Sequence, residues 1–163
     1  MLVLDADALI KLNRVGVLDH LSQTFPCIIP PAVHFEAIER ARERGHEDAG
    51  GIEATVDQLI PTRQPARSTA PEPGLGSGDL ELIGLALDRP DAVVVSDDRR
   101  LLASLSRSGR PFITTAAAVA ALAGRNVLDP QDARSVLDKL RPYITRAAYE
   151  QAIDIIEETE APQ

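Results

Sequence analysis

Six carboxylates occupy places where an α/β sheet would display them. Asp5 closes a short apolar run at 2–4 (LVL), and Asp97 and Asp98 follow the run 92–96 (AVVVS). Asp79 and Glu81 open the segment GLGSGDLELIGLAL, and Glu36 lies just beyond the run 27–29 (CII). Carboxylates gathered at one place repel each other and favour protonation unless a cation is bound. With a cation they become hard oxygen ligands of the kind Mg²⁺ or Mn²⁺ takes. Two such ions, roughly 4 Å apart, activate water and stabilise the leaving oxygen in phosphodiester hydrolysis. Thiolate or imidazole ligation is a poor alternative: Cys27 is the single cysteine, and His20, His34 and His46 lack ligand spacing.

Each acid also has a plainer reading. Asp5 can cap the helix after it, as can either Asp97 or Asp98. Asp79 can favour a helix N-terminus through the dipole, Glu81 can be a solvated first-turn acid, and Glu36 and Glu39 can be surface residues. Only their joint placement at strand ends favours a site.

The elements that must position these acids alternate between strand and helix. Helical spacing follows Asp5 through Ala8, Leu9 and Leu12, then Val15, Leu18 and Leu21. Pro31 suits a first helical turn, the stretch 32–44 is helical in pattern, and Gly45 ends it. Residues 47–57 read as a helix, 59–62 as a short edge strand, and 63–78 as a Pro- and Gly-rich loop. A helix over about 78–87, the strand 92–96, a helix from about 97 and the short strand 111–114 follow. Three helices complete the chain near 115–123, 130–140 and 145–158, the second opened by Asp129, Pro130 and Asp132. Alternating strands and helices imply a parallel sheet, whose ligands sit beyond the C-terminal strand ends.

Composition sets outer limits. A chain of 163 residues fits one domain, and with aromatics at 3% its core must be aliphatic. No run approaches the roughly 18 apolar residues of a membrane span, and the opening MLVLDADALI lacks a basic region, so a cytoplasmic protein is expected. The net charge of −8 argues against binding nucleic acid by bulk electrostatics.

Four segments, in order, resemble the motifs of the PIN-domain family. LVLDADALIKL resembles the opening strand–Asp–helix motif, and IIPPAVHFEAIERA is similar to the second, with Val33 before the acid Glu36. LGSGDLELIGLALD resembles the third, with Asp79 starting the helix, and VVVSDDRRLLASL the fourth, with Ser96 and Asp98 as counterparts and Asp97 between them. The third segment and the paired Asp look closest to a PIN-like branch common in prokaryotes. The resemblance implies a single three-layer α/β/α domain over 1–140 with a parallel sheet of four to five short strands. The remainder, 141–163, carries a helix packed on the domain or at a dimer or partner interface. That tail helix is amphipathic, with Ile144, Ala148, Ala152 and Ile155 near one stripe.

The resemblance further implies a Mg²⁺- or Mn²⁺-dependent ribonuclease, RNA as substrate, a homodimer, and a place as toxin beside a protein antitoxin. By it, Asp5, Asp79, Asp98 and Glu36 are metal-binding and catalytic, with Asp97, Ser96 and Glu81 as auxiliaries. Asp7 stands where the family commonly has Asn, Ser or Thr, and it reads best as a helix cap. Arg63, Arg99 and Arg100 are candidates for phosphate contacts.

Other classes remain. A PIN-like binding module with little catalysis has no need of four acids at these positions. A receiver domain or a haloacid-type phosphatase would require a lysine late in the chain. The two lysines, Lys11 and Lys139, do not stand in those places.

Overall fold

A computed structural model describes residues 1–43 and 49–160. The predicted end of the second helical region at Gly45, the start of the next at 47–48, and His46 lie outside the described residues.

Four parallel strands form one sheet in the order β2–β1–β3–β4: β1 (Leu2–Leu4), β2 (Cys27–Ile28), β3 (Val93–Val95) and β4 (Phe112–Ile113). Val3, Leu4, Val94 and Val95 are all fully buried. Successive strand residues face opposite sides, so both faces of the sheet are covered, which yields the α/β sandwich expected from its apolar strands. The chain leaves β1 for β2 on one flank and later enters β3 on the other. The switch point of the topology therefore lies between β1 and β3, where α/β sheets place their ligands.

The helices are α1 (Ala6–Arg14), α2 (Leu18–Thr24), α3 (Pro31–Glu43), α4 (Ala49–Leu59), α5 (Ser77–Asp88), α6 (Arg99–Arg107), α7 (Thr115–Gly124), α8 (Pro130–Leu140) and α9 (Arg146–Glu160). Continuous periodicity after Asp5 masks a break between α1 and α2. Gly16 adopts φ +75°, a left-handed conformation that glycine accepts readily and that turns the chain. The expected edge strand near 59–62 shrinks to a single parallel bridge between Ile29 and Thr62, because Leu59 still belongs to α4.

The core is aliphatic, with Leu4, Leu9, Leu12, Leu82, Leu85 and Leu101 among its fully buried side chains. Helix α7 (TAAAVAALAG) is apolar nearly all round and is a central strut. Its alanines allow close approach by α8 and α9. On α9 the buried stripe is Ala148, Ala152 and Ile156; Ile155, placed on that stripe by the sequence pattern, is only half-buried. Among the described residues, no helix is long and apolar enough to cross a membrane.

Candidate functional site

The parallel register sets Leu4 beside Val95, and the Asp5 N–H donates to the Val95 carbonyl at 3.2 Å. Asp5 therefore leaves β1 level with Ser96 leaving β3. Asp5 is the N-cap of α1 and accepts from the Ala8 N–H. The expectation that Asp7 caps this helix is thus corrected: Asp7 lies one residue inside α1, and its carboxylate pairs with Lys11 Nζ at 2.6 Å.

Asp5 is only 6% exposed. Burial pushes its carboxyl up to about 7, against the lowering effect of hydrogen bonds from the Ser96 hydroxyl and the Ala8 N–H. The charges of Asp7 and Asp97 add to the rise. Ser96 is itself fully buried, and its Oγ also accepts the Asp98 N–H at 3.0 Å. One hydroxyl thereby fixes the positions of Asp5 and Asp98 together.

The two adjacent acids after β3 diverge. Asp98 caps α6, its Oδ1 accepting from the Arg100 N–H at 2.8 Å and the Leu101 N–H at 3.0 Å, and it lines the cleft at the sheet edge. Asp97 turns to Lys11, whose Nζ lies 2.8 Å from its Oδ2, while its Oδ1 accepts the Thr115 N–H at 3.0 Å. It ties α1 to the start of α7 and does not line the cleft. Burial pulls the Lys11 ammonium down, but hydrogen bonds to Asp7 and Asp97 outweigh this and hold its pKa above the usual value.

Asp79 enters from the first turn of α5, where its Oδ2 accepts the Gly76 N–H at 2.9 Å. The loop before it is anchored to α6. Glu72 accepts from the Ser104 hydroxyl and pairs with Arg107. Gly74, at φ +82°, lies so close beneath the Arg100 side chain that a Cβ there would collide with it. Glu36 reaches the same cleft from α3. Its Oε2 would stand 3.2 Å from a Cβ on Gly78, so the missing side chain at Gly78 lets the carboxylate approach the start of α5. Its Oε1 pairs with Arg40 at 2.6 Å.

Asp5, Glu36, Asp79 and Asp98 thus line one cleft of about 560 Å³, together with Asp7, Glu39, Glu43 and Arg40. Ser96 stands behind it, through Asp5 and Asp98. Glu81 does not line it: it accepts the Ala32 N–H at 2.9 Å and braces α5 against the start of α3. Arg63, Arg99 and Arg100 do not line it either, and among the described residues Arg40 is the arginine that does. Sequence reasoning passed over Arg40 and Lys11. For Lys11 a signal was present, the i,i+4 spacing to Asp7.

The donor set is all hard oxygen. The backbone bonds seen for Asp98 use Oδ1 alone and those for Asp79 use Oδ2 alone, and a carboxylate offers about four acceptor sites. Buried Asp5 faces neutral donors within hydrogen-bond reach and two further acids. This chemistry fits a divalent cation. Among the described residues, no three side chains form a ready-made metal cage.

No curated protein and no solved structure matches the chain. A family model described as PIN domain matches residues 1–158, and the chain belongs to the PIN-domain family.

Proposed function

We propose that this protein is a Mg²⁺- or Mn²⁺-dependent endoribonuclease that hydrolyses RNA phosphodiester bonds in the cleft between β1 and β3. Membership of a family whose members are generally nucleases supports the reaction class. The observation that carries the reading is the buried carboxylate of Asp5. It sits with Asp79, Asp98 and Glu36 in one cleft, while the nearby ammonium of Lys11 is engaged by Asp7 and Asp97.

Asp5, Asp79 and Asp98 are the residues to hold the metal, with Asp5 central. When bound, the cation supplies Lewis acidity, which acidifies an attacking water and offsets charge on the phosphate and the leaving oxygen. Ser96 keeps Asp5 and Asp98 oriented through its two hydrogen bonds, the supporting role that usually fixes ligand geometry. Glu36, whose Oε2 lies beside Gly78 in the same cleft, is our candidate to take up the proton that the attacking water would lose. Arg40, paired with Glu36, is the cleft cation able to meet a phosphate oxygen.

The test is cleavage of a panel of single-stranded RNAs with Mg²⁺ or Mn²⁺, comparing the wild type with Asp5→Asn. The expected result is cleavage that disappears with chelator and in the variant, with the variant's circular dichroism unchanged. Equal activity in both, or none in the wild type, overturns the reading.

A further inference from the structure

We propose that Phe35 is a base-stacking residue that admits single-stranded RNA to the carboxylate cleft, with one unpaired base against its ring. The proposal rests on the nuclease reading above and deepens it by naming a residue that binds the substrate.

Isolated apolar side chains on a surface are ordinary and by themselves mean little. Phe35 differs in degree and in place. It is 68% exposed, whereas the next most exposed large hydrophobic residue, Tyr143, is at 45%. It also lines the cleft that holds Asp5 and Asp98, directly beside Glu36 on α3.

Aromatic rings are scarce in this chain, at 3% of residues, and most are already engaged. Arg14 lies 4.6 Å over the ring of Tyr143, Arg125 lies 5.4 Å over Phe25, and Arg141 lies 5.2 Å over Tyr149. Among the described residues no arginine is seen over Phe35.

The surroundings of Phe35 decide which partner suits it. On the wall that α3 gives the cleft it stands with Ala32, Val33, Glu36, Glu39, Arg40 and Glu43, and since Val33 and the facing Leu82 are buried, the ring is, among the described residues, the one large exposed apolar group there. A protein interface would require a broader apolar core. A nucleobase requires only one open ring face, and base–aromatic stacking tolerates any base. With a net charge of −8, the chain is poorly suited to hold RNA by neutralising many phosphates. An uncharged, exposed ring lining an acidic cleft holds the strand by its bases instead. In a duplex the base faces are already stacked, so such a contact selects unpaired nucleotides.

The experiment is steady-state cleavage of a short single-stranded RNA from the panel above by wild type, Phe35→Ala and Phe35→Trp. A parallel series carries an abasic nucleotide at each position in turn. Phe35→Ala should raise KM about tenfold with kcat little changed, and Phe35→Trp should restore it. An abasic nucleotide at one position should cost the wild type the same factor and cost Phe35→Ala nothing further. Unchanged KM in Phe35→Ala overturns the stacking role while leaving the nuclease reading intact. So does a raised KM accompanied by a change in oligomeric state on gel filtration, since the ring would then be a protein contact. A wild type that cleaves no RNA overturns the nuclease reading and this inference with it.

Discussion

Lys11 and the cleft meet the same problem, acidic side chains crowded at a sheet edge, in different ways. Around Lys11, one ammonium lies 2.6 Å from Asp7 and 2.8 Å from Asp97, so the protein itself supplies a cation that the two acids share. In the cleft, Asp5 has a serine hydroxyl and one backbone N–H as its hydrogen-bond donors, and its carboxyl is pushed up to about 7. The first cluster joins α1, the end of β3 and the start of α7. In the second, Asp5, Asp79 and Asp98 are held by neutral donors, and among the described residues only Glu36 has a cation beside it, Arg40. Adjacent residues Asp97 and Asp98 fall on opposite sides of this division, so proximity in sequence does not predict shared purpose.

The largest effect expected is on catalysis. If Asp5 holds the metal as proposed, Asp5→Asn should lower metal-dependent RNA cleavage by about a thousandfold or more, since several kcal/mol of charge stabilisation would pass through that ion. Without divalent ions the same substitution should stabilise the fold at pH 8. The folded carboxyl keeps its proton to about 7, against 3.8 for an unperturbed aspartate. The folded state binds more protons across that window, so this group's contribution to stability falls as pH rises through it. Urea unfolding at pH 5 and pH 8 should show that slope in the wild type and lose it in Asp5→Asn, a gain of up to about 4 kcal/mol at the higher pH. Identical slopes would place Asp5 in a far less demanding environment.

Breaking the other cluster should affect folding more than chemistry. Lys11→Met leaves Asp97 without its cation and should destabilise by roughly 3 kcal/mol in thermal or urea unfolding. Double substitution with Asp97→Asn should recover part of this. A Lys11 variant of full stability would mean the pair is not the structural tie described.

Ser96→Ala sharpens the comparison at the link between Asp5 and Asp98. Loss of that hydroxyl should weaken the apparent Mn²⁺ affinity about tenfold, read by metal titration of activity. The smallest effect is expected at Gly78. A methyl group there would press on Glu36 Oε2 at 3.2 Å, so Gly78→Ala should reduce kcat severalfold. Its stability should hold or rise by about 0.5 kcal/mol, as alanine favours a helix over glycine. A fall in stability without loss of rate would show that Glu36 moves aside without consequence.

Much of the fold was legible because its signals are local. The runs ending at Asp5 and Ser96 read as strands, and Asp129–Pro130 marked the start of α8. The misreadings arose where a local pattern had two outcomes. Apolar spacing ran unbroken through Gly16, whose positive φ divides two helices. Both Asp5 and Asp7 suited a cap, and only the backbone of β1 made Asp5 the one outside the helix. Ile155 and Ile156 are both apolar, and in the packed α9 it is Ile156 that is buried.

The sequence by itself determined that carboxylates would stand at the ends of β1 and β3, because strand length and helix capping act over a few residues. Which carboxylates share a cleft was decided only by the tertiary structure. Asp97 is claimed by Lys11, 86 residues away, and Glu81 by the Ala32 N–H, 49 residues away. Asp5 acquires its raised pKa from burial, which depends on the packing of the whole chain around it. Local spacing carries no record of such partners, since hydrogen bonds and desolvation depend on distances in space that only folding sets.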